Sequence, residues 1–504
     1  MQSSDTRGQH VNRALRAALS IAIPILIVPT TATAAKGPCT AVCRESGKLC
    51  PVRPTYKFRL TKDQCAETAA QPRKCRRQAR RVLRNARATC KRLAGTCRRG
   101  CAGKPGPVAG GSLDGGFGTG GIVTTAVGSG DVLATDLAVQ ADGRLIITGM
   151  TLVPGVPEEF ASEAGRSLVV ARYDSDGALD PTFGDGGLAI TTLTGTGLGH
   201  DPRTVALQSD GKILVAGDLA GELFIARYDT NGDFDPTFGG SGIVRSTGHG
   251  PAVDLALAPG GRIVIAGEQY IARYDETGTL DEGFGTGGTV EQPEIVNLAG
   301  LRVAADGTAI VGGTASLWYT AARFTADGAI DTAFGSASPF LGFVPEVPEG
   351  YAKANPVSLY GEHAVAFGVA QDGYGVIAAI ESLGRGSARW LFFGIDSAGS
   401  PTYGVEELGS DSGTAQTTLA FQEDGAILTA RCGFRNLSRL FSLARFDAAG
   451  SPDSSFGVDG FVYTPLGEVA CARAVAPTPE AKIVAVGSAI IDGRRRFALA
   501  RYHQ

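Results

Sequence analysis

Residues Ala171–Gly187 read ARYDSDGALDPTFGDGG, and the chain nearly repeats them as ARYDTNGDFDPTFGGSG at Ala226–Gly242 and ARYDETGTLDEGFGTGG at Ala272–Gly288. Self-similarity at a period of about fifty residues means that one supersecondary unit is stacked on copies of itself. In each copy an apolar stretch ends in Ala-Arg-Tyr, a cluster of Asp, Asn, Ser and Gly follows, and Phe-Gly leads into β-branched residues. That is the pattern of a strand, a tight turn and a second strand.

Working outward from this segment, each unit gains two more strands joined by a turn that ends in Asp-Gly. In the first unit the four strands are DLAVQ, RLIITG, LVVARYD and GGLAITT. The Asp-Gly turns end at Gly143, Gly211, Gly307, Gly373 and Gly425, with Gly260-Gly261 as a variant and Thr478–Lys482 as a decayed copy. The Phe-Gly landmarks are Phe117, Phe183, Phe238, Phe284, Phe334 and Phe456, with Tyr403 as a degenerate sixth member in chain order. Four short strands per unit, with no amphipathic helix after residue 112, predict an all-β fold, a seven-bladed β-propeller, rather than an open solenoid. The array ends on a third strand, Phe497–Gln504, while an unaccompanied fourth strand lies at Leu113–Thr125. Pairing these two ends would close the ring and leave no open edge.

The Asp-Gly-Lys/Arg turn, the Ala-Arg-Tyr strand and the Leu-Asp-x-x-Phe-Gly-x-x-Gly segment resemble the delta-60 repeat family. The resemblance covers 113–504. It implies a propeller-like repeat fold and an exported protein, and no particular chemistry. The fifth unit departs from it: Phe392–Gly404, FFGIDSAGSPTYG, is shortened and lacks two signature residues.

Those two residues bear on what the repeat is for. Six units carry Arg on the third strand and Asp before the fourth: Arg172 with Asp180, Arg227 with Asp235, Arg273 with Asp281, Arg323 with Asp331, Arg445 with Asp453, and, through ring closure, Arg501 with Asp114. The fifth has Gly394 and no matching Asp. Joint loss is what a paired guanidinium and carboxylate would show, since a lone buried charge is costly. The pairs therefore read as structural ion pairs and not as catalytic groups.

Other chemistry competes weakly for the same residues. Asp174, Asp176 and Asp180, like Asp229, Asn231 and Asp235, set oxygens at alternate positions around a Gly, as calcium loops do. Thr277 and Ala449 break that series, and the same residue types are those a tight turn selects, so the turn is the preferred reading and no cofactor is expected. Gly116-Phe-Gly118-x-x-Gly121 and Gly283-Phe-Gly285-x-x-Gly288 match a dinucleotide fingerprint, but strand-like residues follow where a helix N-terminus is required. The histidines at 200, 249, 363 and 503 form no metal-ligand pair by spacing.

The near-neutral net charge of −3 conceals two opposed segments. Lys36–Lys104 holds 20 Lys and Arg against 3 Asp and Glu, whereas Pro105–Gln504 holds 24 against 46. Ahead of both, Arg7, Arg13 and Arg16 precede an apolar run and small residues to Ala34, so residues 1–34 read as a signal peptide and the protein as secreted. Residues 36–104 form a basic module with cysteines at Cys39, Cys43, Cys50, Cys65, Cys75, Cys90, Cys97 and Cys101, spaced palindromically. Offsets of 4 and 11 residues place three cysteines on one helical face at each end. A nested ladder on a helical hairpin, 39–101, 43–97, 50–90 and 65–75, is the expectation, among many possible connectivities. Such a module would bind a polyanion or dock on the acidic propeller. Residues 105–112 then serve as a linker to the propeller at 113–504. The last two cysteines, Cys432 and Cys471, should bridge neighbouring blades.

Function is expected at the variable connections, strand two to three and strand four to one, which share one face of a four-stranded ring. Thr151–Arg166, Thr191–Arg203, Phe340–His363, Glu381–Arg389 and Glu406–Gln416 carry most of the length variation. Their acids, chiefly Glu158, Glu159, Glu163, Glu346, Glu349, Glu406, Glu407 and Asp411, suggest an acidic binding face for a protein or glycan. A non-enzymatic secreted scaffold is thus the leading reading. A hydrolase or lyase with its site at the central channel is the alternative.

Overall fold

The computed structural model describes residues 110–504 apart from 153–165, 193–199, 336–350, 355–362, 370–374, 406–417 and the short gaps 247, 296, 316–317, 385–386, 396, 399–400, 436–437 and 449. Residues up to 108 and from 109 onward divide into two compact units, of which the second is described below. The basic cysteine module, its four expected disulfides and the signal segment lie outside the described residues, as do Glu158, Glu159, Glu163, Glu346, Glu349, Glu406, Glu407 and Asp411.

The apolar runs of the repeat fold as antiparallel four-stranded sheets, and seven such sheets are paired. We number them as blades one to seven. Their first strands are Asp131–Val139, His200–Leu207, Ala252–Ala258, Asn297–Val303, His363–Val369, Thr418–Phe421 and Ala470–Pro477. These first strands pack against one another in sequence around the ring, and the first strand of blade one packs on that of blade seven. The turns joining strands one to two and three to four lie at one end of every blade. The other connections lie at the opposite end.

Ring closure occurs between the ends of the array. Ile122–Thr125 pairs antiparallel with Arg494–His503, so that Ile122 faces Ala500 and Thr125 faces Phe497. The final blade thus takes three strands from one end of the repeat array and one from the other.

The core is distributed between blades and does not sit at one centre, because each sheet is apolar on both faces. Between blades seven and one, Phe497 and Leu499 pack with Val132 and Leu145. Between blades one and two, Ile146 and Val170 pack with Val215 and Phe224. Burying apolar surface is worth about 25 cal/mol per Å², so these interblade layers favour the closed ring.

No α-helix occurs among the described residues, whose one helical segment is a three-residue 3-10 turn at Pro259–Gly261; the expected helical module at 36–104 lies outside them. The expectation of seven repeat blades is corrected. Six carry the Arg–Asp corner of the repeat, and the sheet of blade five, with Gly394 on its third strand, does not. Nor is any described helix long and apolar enough to cross a membrane.

Blade four brings a further correction. Its fourth strand is Tyr351–Ala354, paired with Tyr319–Ala322, so residues 336–350 are inserted between the Phe334-Gly335 corner and that strand. The span Phe340–His363, expected as a strand-four-to-one loop, thus contains the fourth strand, and Glu346 and Glu349 precede that strand in sequence.

Deleting Leu113–Thr125 exposes the edge of Arg494–His503 and should promote aggregation and lower the melting temperature. Size-exclusion chromatography with thermal melts checks this. Unchanged elution and melting would contradict closure by these strands.

Candidate functional site

The recurrent charged residues converge at the turn end of each seam between blades. All six sequence-predicted pairs are formed. Arg172 Nε lies 2.7 Å from Asp180 Oδ2, Arg227 Nε lies 2.8 Å from Asp235, Arg273 Nε lies 2.8 Å from Asp281, and Arg323 Nε lies 2.7 Å from Asp331. Arg501 Nε lies 3.0 Å from Asp114 Oδ2 across 387 residues of sequence, and Arg445 pairs with Asp453. The first two pairs are almost wholly buried.

The pair is one part of a larger corner. Five of the guanidinium groups sit 4.6–4.8 Å from the ring centroid of the corner Phe, at Phe183, Phe238, Phe284, Phe334 and Phe117. Stacking over the ring leaves Nη1 pointing out of the blade, and it donates to a backbone carbonyl of the next one. Arg172 donates to Thr230 O at 2.5 Å; Arg227 donates to Glu276 O, Arg273 to Ala326 O, Arg323 to Ser397 O and Arg501 to Ser175 O. Each acceptor is the second residue of the neighbour's strand-three-to-four turn.

The third turn residue is gripped as well. The N–H after the corner Phe donates to its carbonyl: Gly118 to Asp176, Gly184 to Asn231, Gly239 to Thr277, Gly285 to Asp327 and Gly335 to Ala398. The fourth turn residue must be glycine. Gly177 has φ +92°, and a Cβ there would lie 2.9 Å from the Phe117 ring of the preceding blade. The seventeen repeated residues thus contain both halves of one joint: Arg, Asp, Phe and Gly form the gripping half, and the turn Asp-x-x-Gly forms the gripped half.

The turn carboxylates cap backbone amides. Asp229 Oδ1 accepts from the N–H groups of Asn231 and Asp233, Asp275 Oδ1 from those of Thr277 and Thr279, and Asp176 Oδ1 from that of Ala178. Asp180 and Asp235, the last oxygens of the calcium-like series, are held by Arg172 and Arg227.

Sequence reasoning missed the second cation of the corner. The Lys or Arg that ends the strand-one-to-two turn reaches the same Asp: Arg144 to Asp180 and Lys212 to Asp235 at 3.3 Å, Arg262 to Asp281 at 3.0 Å, and Lys482 to Asp114 at 4.0 Å. The signal was present, since that cation recurs one residue after the turn glycine in Gly143-Arg144, Gly211-Lys212 and Gly261-Arg262. Burial alone would raise the Asp235 carboxyl, but hydrogen bonds from Thr237 and the charge of Arg227 outweigh it and hold it down at about 2.

A second set of ligaments lies on the innermost strands. Asp136 Oδ2 accepts from Val205 N of blade two at 2.9 Å, and its Oδ1 accepts from Leu137 N. Thr204 donates to Asp254 Oδ1 of blade three, and Asp254 Oδ2 accepts from Leu301 N and Arg302 Nη1 of blade four. Thr418 Oγ1 of blade six accepts from Val475 N of blade seven, and Ser488 Oγ of blade seven accepts from Ala134 N of blade one. Register irregularities at Ala134/Asp136, Pro202/Thr204, Ala252/Asp254 and Ala472/Ala474 turn these positions toward the neighbouring blade.

Asp136 is half-buried, with protein packed closely around its carboxyl. Burial pushes its carboxyl up to about 7, two backbone N–H bonds oppose this, and the negative charge of Asp254 adds to the rise. Among the described residues no three His, Cys, Asp or Glu side chains are grouped to hold a metal ion. On the loop face, Arg166 of blade one pairs with Asp201 of blade two. Cys432 and Cys471 form a disulfide between blades six and seven, within strands and not in the flanking loops.

Known proteins resemble the chain as follows. A model described as "domain of unknown function (DUF5122) beta-propeller" matches residues 159–183, 208–238 and 259–284, which are copies of the repeat. The chain is thus a β-propeller repeat protein. No curated protein matches. Among solved structures, a protein of unknown function from Dyadobacter fermentans is 12% identical, with 76% of this chain and 99% of that chain covered and a TM-score of 0.41. YCF48 bound to D1 peptide is 10% identical, with 80% and 99% covered and a TM-score of 0.42. Sqt1 from Chaetomium thermophilum is 10% identical, with 76% and 100% covered and a TM-score of 0.39.

The folded Asp136 carboxyl holds its proton up to about pH 7, whereas an unfolded Asp releases it near 3.9. Stability from this group therefore falls as pH rises from about 4 to about 7 and is level above that. Thermal melts of wild type and Asp136→Asn between pH 4.5 and 8.5 should show that slope in the wild type and its loss in the variant. Parallel profiles would contradict the assignment.

Proposed function

We propose that this protein is an exported, non-catalytic scaffold of the delta-60 repeat type, whose rigid ring presents its loop face to a protein or glycan. The observation that carries this reading is the use made of the repeated charges. In the six corners Arg and Asp are bonded to each other, and five of the arginines also reach a neighbouring blade, so the repeat's polar chemistry is directed at ring assembly. Apart from the insertion at 336–350, variation in length is left to the connections at the other end, where scaffolds commonly carry recognition. The basic module at 36–104 supplies a second surface, for a polyanion or for the acidic propeller itself.

The channel-based hydrolase or lyase remains a second reading because Asp136 is tuned to about 7, a value suited to proton transfer. Against it, all four oxygens of Asp136 and Asp254 already accept backbone N–H groups.

The test uses full-length protein on a glycan array and on immobilised cationic and anionic polymers. Replacing Glu158, Glu159 and Glu163 together by Gln should weaken the strongest binding at least tenfold, while Asp142→Asn, on the turn end, should leave it unchanged. Binding indifferent to the loop acids would overturn the loop-face assignment. Turnover of a glycoside or ester that is lost in Asp136→Asn would replace the scaffold by the enzyme.

A further inference from the structure

The joints between blades are not equally provided for, and the differences fall around blade six. Five seams carry an arginine that reaches the next blade's turn. From blade five to six, the third strand has Gly394 where the other blades place the clamp arginine. From blade six to seven, Arg445 is present but turned inward. Its Nε donates to Gln422 Oε1 at 2.6 Å, its Nη2 to Asp424 Oδ2 at 2.5 Å, and its Nη1 to Asp453, so all three nitrogens serve its own blade.

Topology explains the inward turn. Everywhere else the gripped half of the joint is a continuous strand-three-to-four turn. In blade seven the third strand is Arg494–His503 and the fourth is Ile122–Thr125, so two separate stretches of chain replace that turn. Gly110 takes the place of the third turn residue, accepting from Gly457 N, and Gly111 N donates to His503 O. The backbone half of the joint survives, and the arginine half is lost.

The disulfide spans this same seam. Cys432 lies on the second strand of blade six and Cys471 on the first strand of blade seven, with Cα atoms 4.2 Å apart. We propose that the Cys432–Cys471 bond is a covalent substitute for the missing arginine clamp, and that it makes the blade six–seven seam a redox-dependent lock on the ring. In the disulfide state the seam is held shut. Reduction by a dithiol transfers two electrons and two protons to the pair, the dithiol becomes a disulfide in its turn, and two thiols remain. The seam then rests on Thr418 to Val475, Gly457 to Gly110 and interblade packing. Both sulfurs belong to buried residues, 6% and 7% exposed, so exchange with a dithiol requires the seam to open first.

Hydrogen exchange of the full chain, read by mass spectrometry, tests this. In the Cys432→Ser, Cys471→Ser double variant, exchange in Thr418–Thr464 and in Ile122–Thr125 should be at least tenfold faster than in the oxidised wild type. Residues Asp131–Glu291, blades one to three, should be unaffected. If that variant does not accumulate as folded protein, wild type reduced with dithiothreitol gives the same comparison, and re-oxidation with oxidised glutathione should restore protection. Equal exchange with and without the bond, or faster exchange spread evenly over every blade, would overturn the proposal.

Discussion

A guanidinium withdrawn from water must find an acceptor for each donor it points inward, and in this ring that requirement joins one blade to the next. The Asp of its own blade satisfies Nε, and the corner Phe supports the flat of the group. One nitrogen then remains directed outward, and the neighbour's turn offers a carbonyl there. Leaving either partner alone would cost about 3–5 kcal/mol for a buried pair such as Arg172 and Asp180, whose side chains are 7% and 3% exposed. The charge is thereby tied to assembly: the arginine is fully bonded only when the adjacent blade is in place.

This constraint accounts for the unusual length of the repeated segment. A strand and a turn need only a pattern of apolar and turn residues. A joint between identical units needs its gripping and gripped surfaces in every copy, so Arg, Asp, Phe-Gly and Asp-x-x-Gly recur in fixed register. Blade five, with Gly394, can still be gripped through Ser397 and Ala398 although it cannot grip in the same way. The inner carboxylates of Asp136 and Asp254 repeat the principle at the axis with backbone amides as the partner. At the seam between blades six and seven the neighbour's turn is interrupted, the arginine folds back onto its own blade, and a disulfide is found instead.

Much of this was legible in the sequence because it is periodic. The strands, the closing pairing of Leu113–Thr125 with the last strand, the Arg–Asp pairs and the partnership of Cys432 with Cys471 all follow from register. What could not be read is what the neighbour contributes. The carbonyls of Thr230 and Glu276 have no side-chain signature, so the pairs looked self-contained. Asp136 resembled any polar residue on a half-exposed strand until the bulge beside it aimed it at Val205. In blade four, long-range pairing placed the fourth strand at Tyr351–Ala354, inside the span expected as a loop.

The most direct test is to replace the six arginines by Met one at a time and follow melting and residue-level hydrogen exchange. The interblade account predicts that Arg172, Arg227, Arg273, Arg323 and Arg501 each release protection in the following blade's turn as well as in their own corner. Arg445→Met should affect blade six alone. Losses confined to the mutated blade at all six positions would contradict it.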